Sequence, residues 1–257
     1  LEMDIVMVGA GNLATHLACA LYEQGYRIRQ VYSRTEESAS LLASQVEADY
    51  TNQVEKLCPQ AAIYICALKD DVLPTLIPQL TAVNPNALWL HTAGSIPMDV
   101  WEGHVERYGV IYPLQTFSKH RKVDFKQIPI FIEVKHEGDL GTLDYMAHRL
   151  TDKVYRVSSE GRKRLHLAAV FACNFTNHMY ALAQELLDDY GLPFDVMLPL
   201  IDETTQKVHR LSPKQAQTGP AARGDKKVMD AHRKMLADKP QLECIYQLLS
   251  DSIEKMK

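Results

Sequence analysis

The sequence contains no apolar run of the ~18 residues that a membrane-spanning helix requires, and no such span is expected. It also lacks any Cys-x-x-Cys pair. The cysteines, Cys19, Cys58, Cys66, Cys173 and Cys244, are odd in number and scattered. This spacing argues against a zinc knuckle or a redox dithiol, and no metal is expected. Because most of them sit in apolar stretches, they read as buried, reduced thiols of a cytoplasmic protein. An excess of positive charge is missing too: 28 Lys and Arg stand against 32 Asp and Glu, for a net charge of −4. That balance gives no reason to expect a nucleic-acid partner. The local basic groups Arg162-Lys163-Arg164 and Arg223, Lys226, Lys227 have acids close by and read as solvated helix faces. Internal repeats and low-complexity segments are absent. No secretory leader pattern opens the chain: Asp4 leads directly into a strand pattern, and Leu1 and Glu2, ahead of Met3, read as residues left from cloning.

What is present is a chain of 257 residues with 46% hydrophobic content, enough for two domains with real cores. The first 157 residues alternate short β-branched runs with helical stretches, the pattern of βα units around a parallel sheet. Strands are predicted at 5–8, 28–32, 63–67, 87–90, 110–112, 130–134 and 154–157, with helices at 12–24, 36–46, 71–80 and 139–151. Several strands are apolar at nearly every position, as expected when both faces are covered. From Ser159 onward only helical periodicity remains, broken by Pro193, Pro213, Pro220 and Pro240. The expected architecture is α/β, a Rossmann-type doubly wound, mostly parallel sheet over residues 1–158, followed by an all-α domain over 159–257.

Gly9-Ala10-Gly11-Asn12-Leu13-Ala14 fits G-x-G-x-x-A directly after the first strand, where it opens a helix. Gly9 permits the tight turn, Gly11 lets a pyrophosphate approach the backbone, and Ala14 lets helix and strand pack closely. The N–H groups and positive end of the helix then hold the anion. An NAD site usually places Asp or Glu at the tip of the second strand. Here the tip reads Ser33-Arg34-Thr35, a guanidinium fork flanked by hydroxyls that suits a 2′-phosphate, and NADP(H) is the expected cofactor. Glu36 and Glu37 read as the start of the next helix.

In doubly wound sheets ligands bind outside the carboxyl ends of the strands. Ala67, Leu68 and Lys69 would lie there beside the cofactor, and Asp70 or Asp71 either joins them or caps the next helix. His91 and Ala93 would lie near the nicotinamide, with Gly94, Ser95 and, after the 110–112 strand, Gln115 facing a substrate. His91 can equally be a hydrogen-bonded strand-end residue. The stretch 162–187 is apolar nearly all round and is expected to be buried between domains or subunits. It carries His166, Asn174 and Asn177, which at a regular ~100° per residue fall at about 0°, 80° and 20° and share one face. Such groups need partners, either internal hydrogen bonds or a ligand. His166 is a candidate proton donor and Asn174 a candidate for orienting a carbonyl or the nicotinamide amide. Arg223, on the loop Thr218–Asp225 between Gly219 and Gly224, is a candidate clamp for a substrate carboxylate or phosphate, while Asp225 is a good N-cap.

Together, the Gly9–Ala14 loop, Ser33-Arg34-Thr35, His91–Ser95, Pro113–Ser118, the helix from His166 through Asn174, and Thr218–Asp225 resemble the Rossmann-like NADP oxidoreductases that carry a C-terminal helical domain of unknown function. More distantly the chain is similar to pyrroline-carboxylate reductase, ketopantoate reductase, the β-hydroxyacid dehydrogenases and the deazaflavin-dependent NADP oxidoreductases. The resemblance implies a helical domain of the 6-phosphogluconate-dehydrogenase-like kind, NADPH binding, and a homodimer joined through the helical domains. It also implies reduction of a small, anionic keto or imino compound at the domain interface. One departure stands out: where ketopantoate reductase and the β-hydroxyacid dehydrogenases have a lysine four residues before Asn174, this chain has Val170. Two alternatives therefore stay open, a non-catalytic NADP(H)-binding sensor or regulatory protein and a deazaflavin-dependent NADP oxidoreductase.

Overall fold

Runs of aliphatic and β-branched residues form the strands β1 (Ile5–Val8), β2 (Ile28–Tyr32), β3 (Asp49–Thr51), β4 (Ile63–Cys66), β5 (Leu88–His91), β6 (Tyr108–Pro113), β7 (Ile130–Val134) and β8 (Val154–Arg156). Between them lie α1 (Asn12–Glu23), α2 (Glu36–Gln45), α3 (Leu73–Thr81) and α4 (Glu137–Leu150). The structure is a computed structural model and describes residues 3–256; Leu1 and Glu2, read above as cloning residues, lie outside the described residues.

The strands make one eight-stranded sheet in the order β3-β2-β1-β4-β5-β6-β7-β8. All pairings are parallel except β6 with β7, which is antiparallel. Every residue of β1, β4, β5 and β6 is buried, because helices cover both faces. The period-2 alternation sorts them into two cores: Ile5 and Met7 face a cluster with Leu17 and Leu21, while Val6 and Val8 face Tyr64, Trp89 and Trp101. Tyr64 and Trp89 stack with centroids 4.1 Å apart. The short edge strand β3 has no counterpart among the predicted strands. Two of its three residues are exposed, so it carries no burial pattern.

After β8 no strand follows among the described residues. The helices are α5 (Ser159–Ala169), α6 (Thr176–Asp188), α7 (Leu198–Val208), α8 (Pro213–Ala216), α9 (Pro220–Arg223), α10 (Lys226–Met235) and α11 (Pro240–Lys255). Pro213, Pro220 and Pro240 open helices, where the missing N–H costs nothing. The long helix expected over 162–187 is continuous but irregular: a π-turn at Val170–Phe175 joins α5 to α6. A π-turn holds an extra residue per turn, so the regular spacing that aligned His166, Asn174 and Asn177 does not hold across it.

The chain falls into two compact units, Leu1–Cys173 and Asn174–Lys257, divided inside this π-turn. Within the second unit, Ala221 and Leu236 are the buried apolar residues among those described. Leu186, Tyr190, Leu200, Met235, Leu248 and Leu249 are exposed, Tyr190 by 80%. On the expected buried helix, Leu167, Phe171 and Phe175 are exposed as well. The sequence correctly marks the face as apolar, and in the single chain these side chains remain about half or more exposed. The cysteines are corrected likewise: none is paired, but only Cys66 is buried, and Cys173 and Cys244 are exposed.

Candidate active site

The order of the sheet reverses between β1 and β4, which makes the crevice outside their carboxyl ends the switch point of the fold. Gly9 lies there with φ +120°, and a Cβ on it would collide with the carbonyl of Ala67. The loop can therefore take this path only with glycine. Gly9 N–H donates to Tyr32 O and Ala67 N–H to Val8 O, both at 2.8 Å, which lock the ends of β1, β2 and β4 together. No side chain caps α1 at Gly11 and no acid lies in its first turn, so its N-terminal field is unopposed. Ala10 is buried, Gly11 and Asn12 are exposed, and Leu13 is half-buried. This cradle fits a pyrophosphate. Ala67, Leu68 and Lys69 stand across from it at the end of β4.

At the end of β2, Ser33 is half-buried while Arg34 and Thr35 are exposed. Thr35 Oγ donates to Ser38 at 2.8 Å, and Glu36 and Glu37 open α2 as expected. The Arg34 guanidinium has no ion pair or hydrogen bond among the described residues, leaving its fork for a ligand.

At the end of β5 the loop folds on itself. His91 is fully buried; its Nδ1 accepts from Ala93 N–H at 3.1 Å and its Nε2 faces Pro97 O at 3.3 Å. Those partners fix the tautomer, with Nε2 protonated and donating to the carbonyl. The ring is thus committed to its own loop and not to a cofactor, a correction to its expected role that leaves only its backbone for contact. Burial first, and the charge of Arg162 second, push its pKa down to about 3. Asp70 does not cap α3, which has no side-chain cap; it accepts instead from Ser95 Oγ.

Gly94 is buried against two side chains: a Cβ there would lie 2.5 Å from His166 Nδ1 and 2.9 Å from the Tyr112 hydroxyl. Tyr112, from β6, and His166, from α5, are themselves 3.2 Å apart, Oη to Nδ1. So His166, Gly94, Ser95 and Asp70 meet beside the ends of β5 and β6. Gln115, in the next loop, is exposed, and its Oε1 accepts from Thr116 N–H. Asn174, Asn177 and Arg223 belong to the second unit and are exposed on it. Arg223 ends α9 between two glycines of positive φ, Gly219 at 105° and Gly224 at 73°, and Asp225 caps α10 by accepting from Val228 N–H.

Residues 4–88 match a family model described as NADP oxidoreductase, coenzyme F420-dependent, and residues 128–253 match a domain of unknown function. A solved structure from Bacteroides fragilis, provisionally assigned as an NADP oxidoreductase, is 59% identical over 99% of this chain and 98% of its own, with a TM-score of 0.94. The chain belongs to this NADP oxidoreductase family. The expected class, an oxidoreductase, and the expected cofactor, NADP(H), follow from that membership. A Thermotoga maritima protein (20% identity, 98% of this chain and 97% of that one, TM-score 0.75) shares the fold. So does an imine reductase from Myxococcus stipitatus in complex with NADP+ (14% identity, 98% and 92% coverage, TM-score 0.67). No curated protein matches the chain.

Two residues of this oxidoreductase were invisible as site residues in the sequence. Tyr112 reads there only as a strand residue. Arg162 reads as part of a solvated basic run, yet it is fully buried; its Nη2 donates to Ile96 O at 2.7 Å and lies 3.6 Å from Glu133. The one available signal was its spacing from His166, i and i+4, which puts both on one face of α5.

The state of His91 has a measurable consequence. The unfolded chain takes up a proton at His91 near pH 6.5, while the folded protein refuses it until about pH 3. This contribution to stability is therefore complete above pH 6.5 and is lost as the pH falls from there toward 3. Denaturant titrations should show the unfolding free energy falling below pH 6.5. The slope from this one group is up to ~1.4 kcal/mol per pH unit, and His91→Asn should flatten it.

Proposed function

We propose that this oxidoreductase uses NADPH to reduce a small, anionic keto or imino compound, with His166 as the proton donor. Residues 1–158 are its NADP-binding domain and 159–257 its substrate and dimerisation domain. The observation that carries this reading is the position of His166. It is a titratable group held against Gly94, at the same sheet edge as the Gly9 loop. Gly9, Ala10, Gly11, Asn12 and Leu13 cradle the pyrophosphate, Ser33, Arg34 and Thr35 take the 2′-phosphate, and Ala67, Leu68, Lys69 and Ala93 line the remaining cofactor. NADPH, when bound, supplies the hydride. The carbon of the C=O or C=N bond receives it, and the edge of His166 not held by Tyr112 donates the proton to the oxygen or nitrogen, which balances the reduction. Gly94, Ser95, Gln115, Asn174, Asn177 and Arg223 complete the reading as substrate contacts.

The match of residues 4–88 to a coenzyme F420-dependent family model favours a second reading, hydride exchange between NADP and a deazaflavin. That match covers the dinucleotide-binding strands alone. It bears on the NADP half of such a reaction and is silent on the acceptor.

The protein is also read as a homodimer joined through its helical unit. Helical domains of this length normally bury an apolar core, and exposed apolar patches of this extent mark interaction surfaces. Here Ala221 and Leu236 alone are buried among the unit's described apolar residues.

Three measurements test this. Arg34→Ala should weaken NADPH binding by about tenfold or more while leaving NADH nearly unchanged, since it removes a charge-assisted pair that only the 2′-phosphate can make; equal losses for both cofactors would refute the 2′-phosphate assignment. Nicotinamide absorbance over a panel of keto acids, cyclic imines and a deazaflavin should show turnover, reduced by about 10²- to 10⁴-fold in His166→Ala with the NADPH Kd unchanged. Tight NADPH binding with silence across the panel would instead support a sensor. Sedimentation should give twice the 29.1 kDa chain mass, and a monomer at micromolar concentration would sink the dimer.

A further inference from the structure

We propose that Tyr112 is the positioning residue of His166: its phenol donates to Nδ1, fixing neutral His166 with the proton on Nε2 and that edge turned away from the sheet. The inference rests on the reading of His166 as proton donor and adds the residue that sets which nitrogen does the work.

Three observations carry it. First, Tyr112 is buried, and the partner of its hydroxyl among the described residues is His166 Nδ1, 3.2 Å away. If Nδ1 carried the proton and donated, the phenol's own hydrogen would find no acceptor among the described residues. Donation from the phenol to the bare nitrogen leaves nothing unpaired. Second, Gly94 closes the same edge of the ring. The space a Cβ would occupy lies 2.5 Å from Nδ1, 2.8 Å from Cγ and 2.9 Å from Oη, so backbone and phenol grip the imidazole from two sides. His166 is nevertheless only half-buried, which leaves its other edge for solvent or substrate. Third, both partners are fixed from behind. Tyr112 packs on Phe131 across the β6–β7 pair. Arg162, one turn before His166 on α5, holds the helix to the loop through the Ile96 carbonyl. Neither side chain can follow the other if the bond between them is removed.

An imidazole held this way presents Nε2–H as a hydrogen-bond donor on its open edge. Without the phenol the ring is free to turn about its Cβ–Cγ bond and present either nitrogen. Tyr112→Phe keeps the ring packing and removes only the donor.

The test is long-range 1H–15N correlation spectroscopy on the full-length protein with 15N-labelled histidine, above the imidazole titration, the His166 signals being identified by their loss in His166→Gln. Wild type should show Nε2 protonated and Nδ1 bare, with Nδ1 shifted upfield as for a nitrogen accepting a hydrogen bond. In Tyr112→Phe that resonance should move to the value of an acceptor without a donor. Gly94→Ala, whose Cβ displaces the imidazole, should do the same and serves if the phenylalanine variant folds poorly. A wild-type ring protonated at Nδ1, or an Nδ1 resonance unmoved in both variants, overturns the proposal. Kinetics give the second arm: Tyr112→Phe should lower kcat by about 10- to 100-fold with KM and NADPH affinity little changed, as expected of a misplaced donor. Added to His166→Ala it should cost nothing further. The nitrogen shifts need no substrate, so a protein that turns nothing over would defeat the proton-donor reading and leave this one standing on its own spectrum.

Discussion

A single buried cation, Arg162, ties together the parts of the first unit that build the site. Its Nη2 donates to Ile96 O and to Ser159 Oγ and lies 3.6 Å from Glu133 on β7. Glu133 in turn accepts from the Ser159 N–H and hydroxyl at 2.9 and 2.8 Å, and Ser159 Oγ accepts from Met98 N–H. The network joins β7, the first turn of α5 and the loop after β5, the segments that set where Gly94 meets His166. Nε and Nη1 of Arg162 are buried without a hydrogen-bond partner among the described residues. Burying a guanidinium so incompletely paired contributes little net stability, because desolvation offsets most of the attraction, whereas removing one partner would leave an uncompensated charge. What the network supplies is registration: the helix cannot slide along the loop without stranding the cation.

The same charge reaches beyond its own bonds. It is the second cause, after burial, of the low pKa of His91, and it acts against the burial that raises that of the Tyr112 hydroxyl. His91 stays neutral and structural, shaping the loop, while His166 is only half-buried. Two histidines a short distance from one cation thus differ in environment, one sealed and the other partly open.

Much of this was legible in the sequence where a local rule was enough. The Gly9–Ala14 loop, the tip at Arg34 and the fully apolar strands each follow from sterics or periodicity that neighbours in sequence decide, and each stands where expected. What escaped depends on residues far apart in the chain. Arg162 looks like its neighbours Lys163 and Arg164 until β7 and the loop after β5 close over it. Tyr112 becomes a site residue only because α5 returns to the end of β6. The edge strand β3 has too little burial to leave a pattern, and the π-turn at Val170–Phe175 has no sequence rule to announce it. Val170, the residue at which the sequence departs from the resemblance drawn above, opens that turn.

The helical unit marks a different limit. Apolar periodicity reports that a face will be covered and is silent about what covers it. Over α6, α7 and α11 the apolar residues are numerous, yet Leu186, Leu200 and Leu248 are exposed in this chain. Ordering a residue costs about 1–2 kcal/mol of backbone entropy, and two buried side chains, Ala221 and Leu236, cannot offset that over a unit of this length. The homodimer proposed above would supply further surface to these helices. Its stability would then depend by mass action on the concentration of the chain.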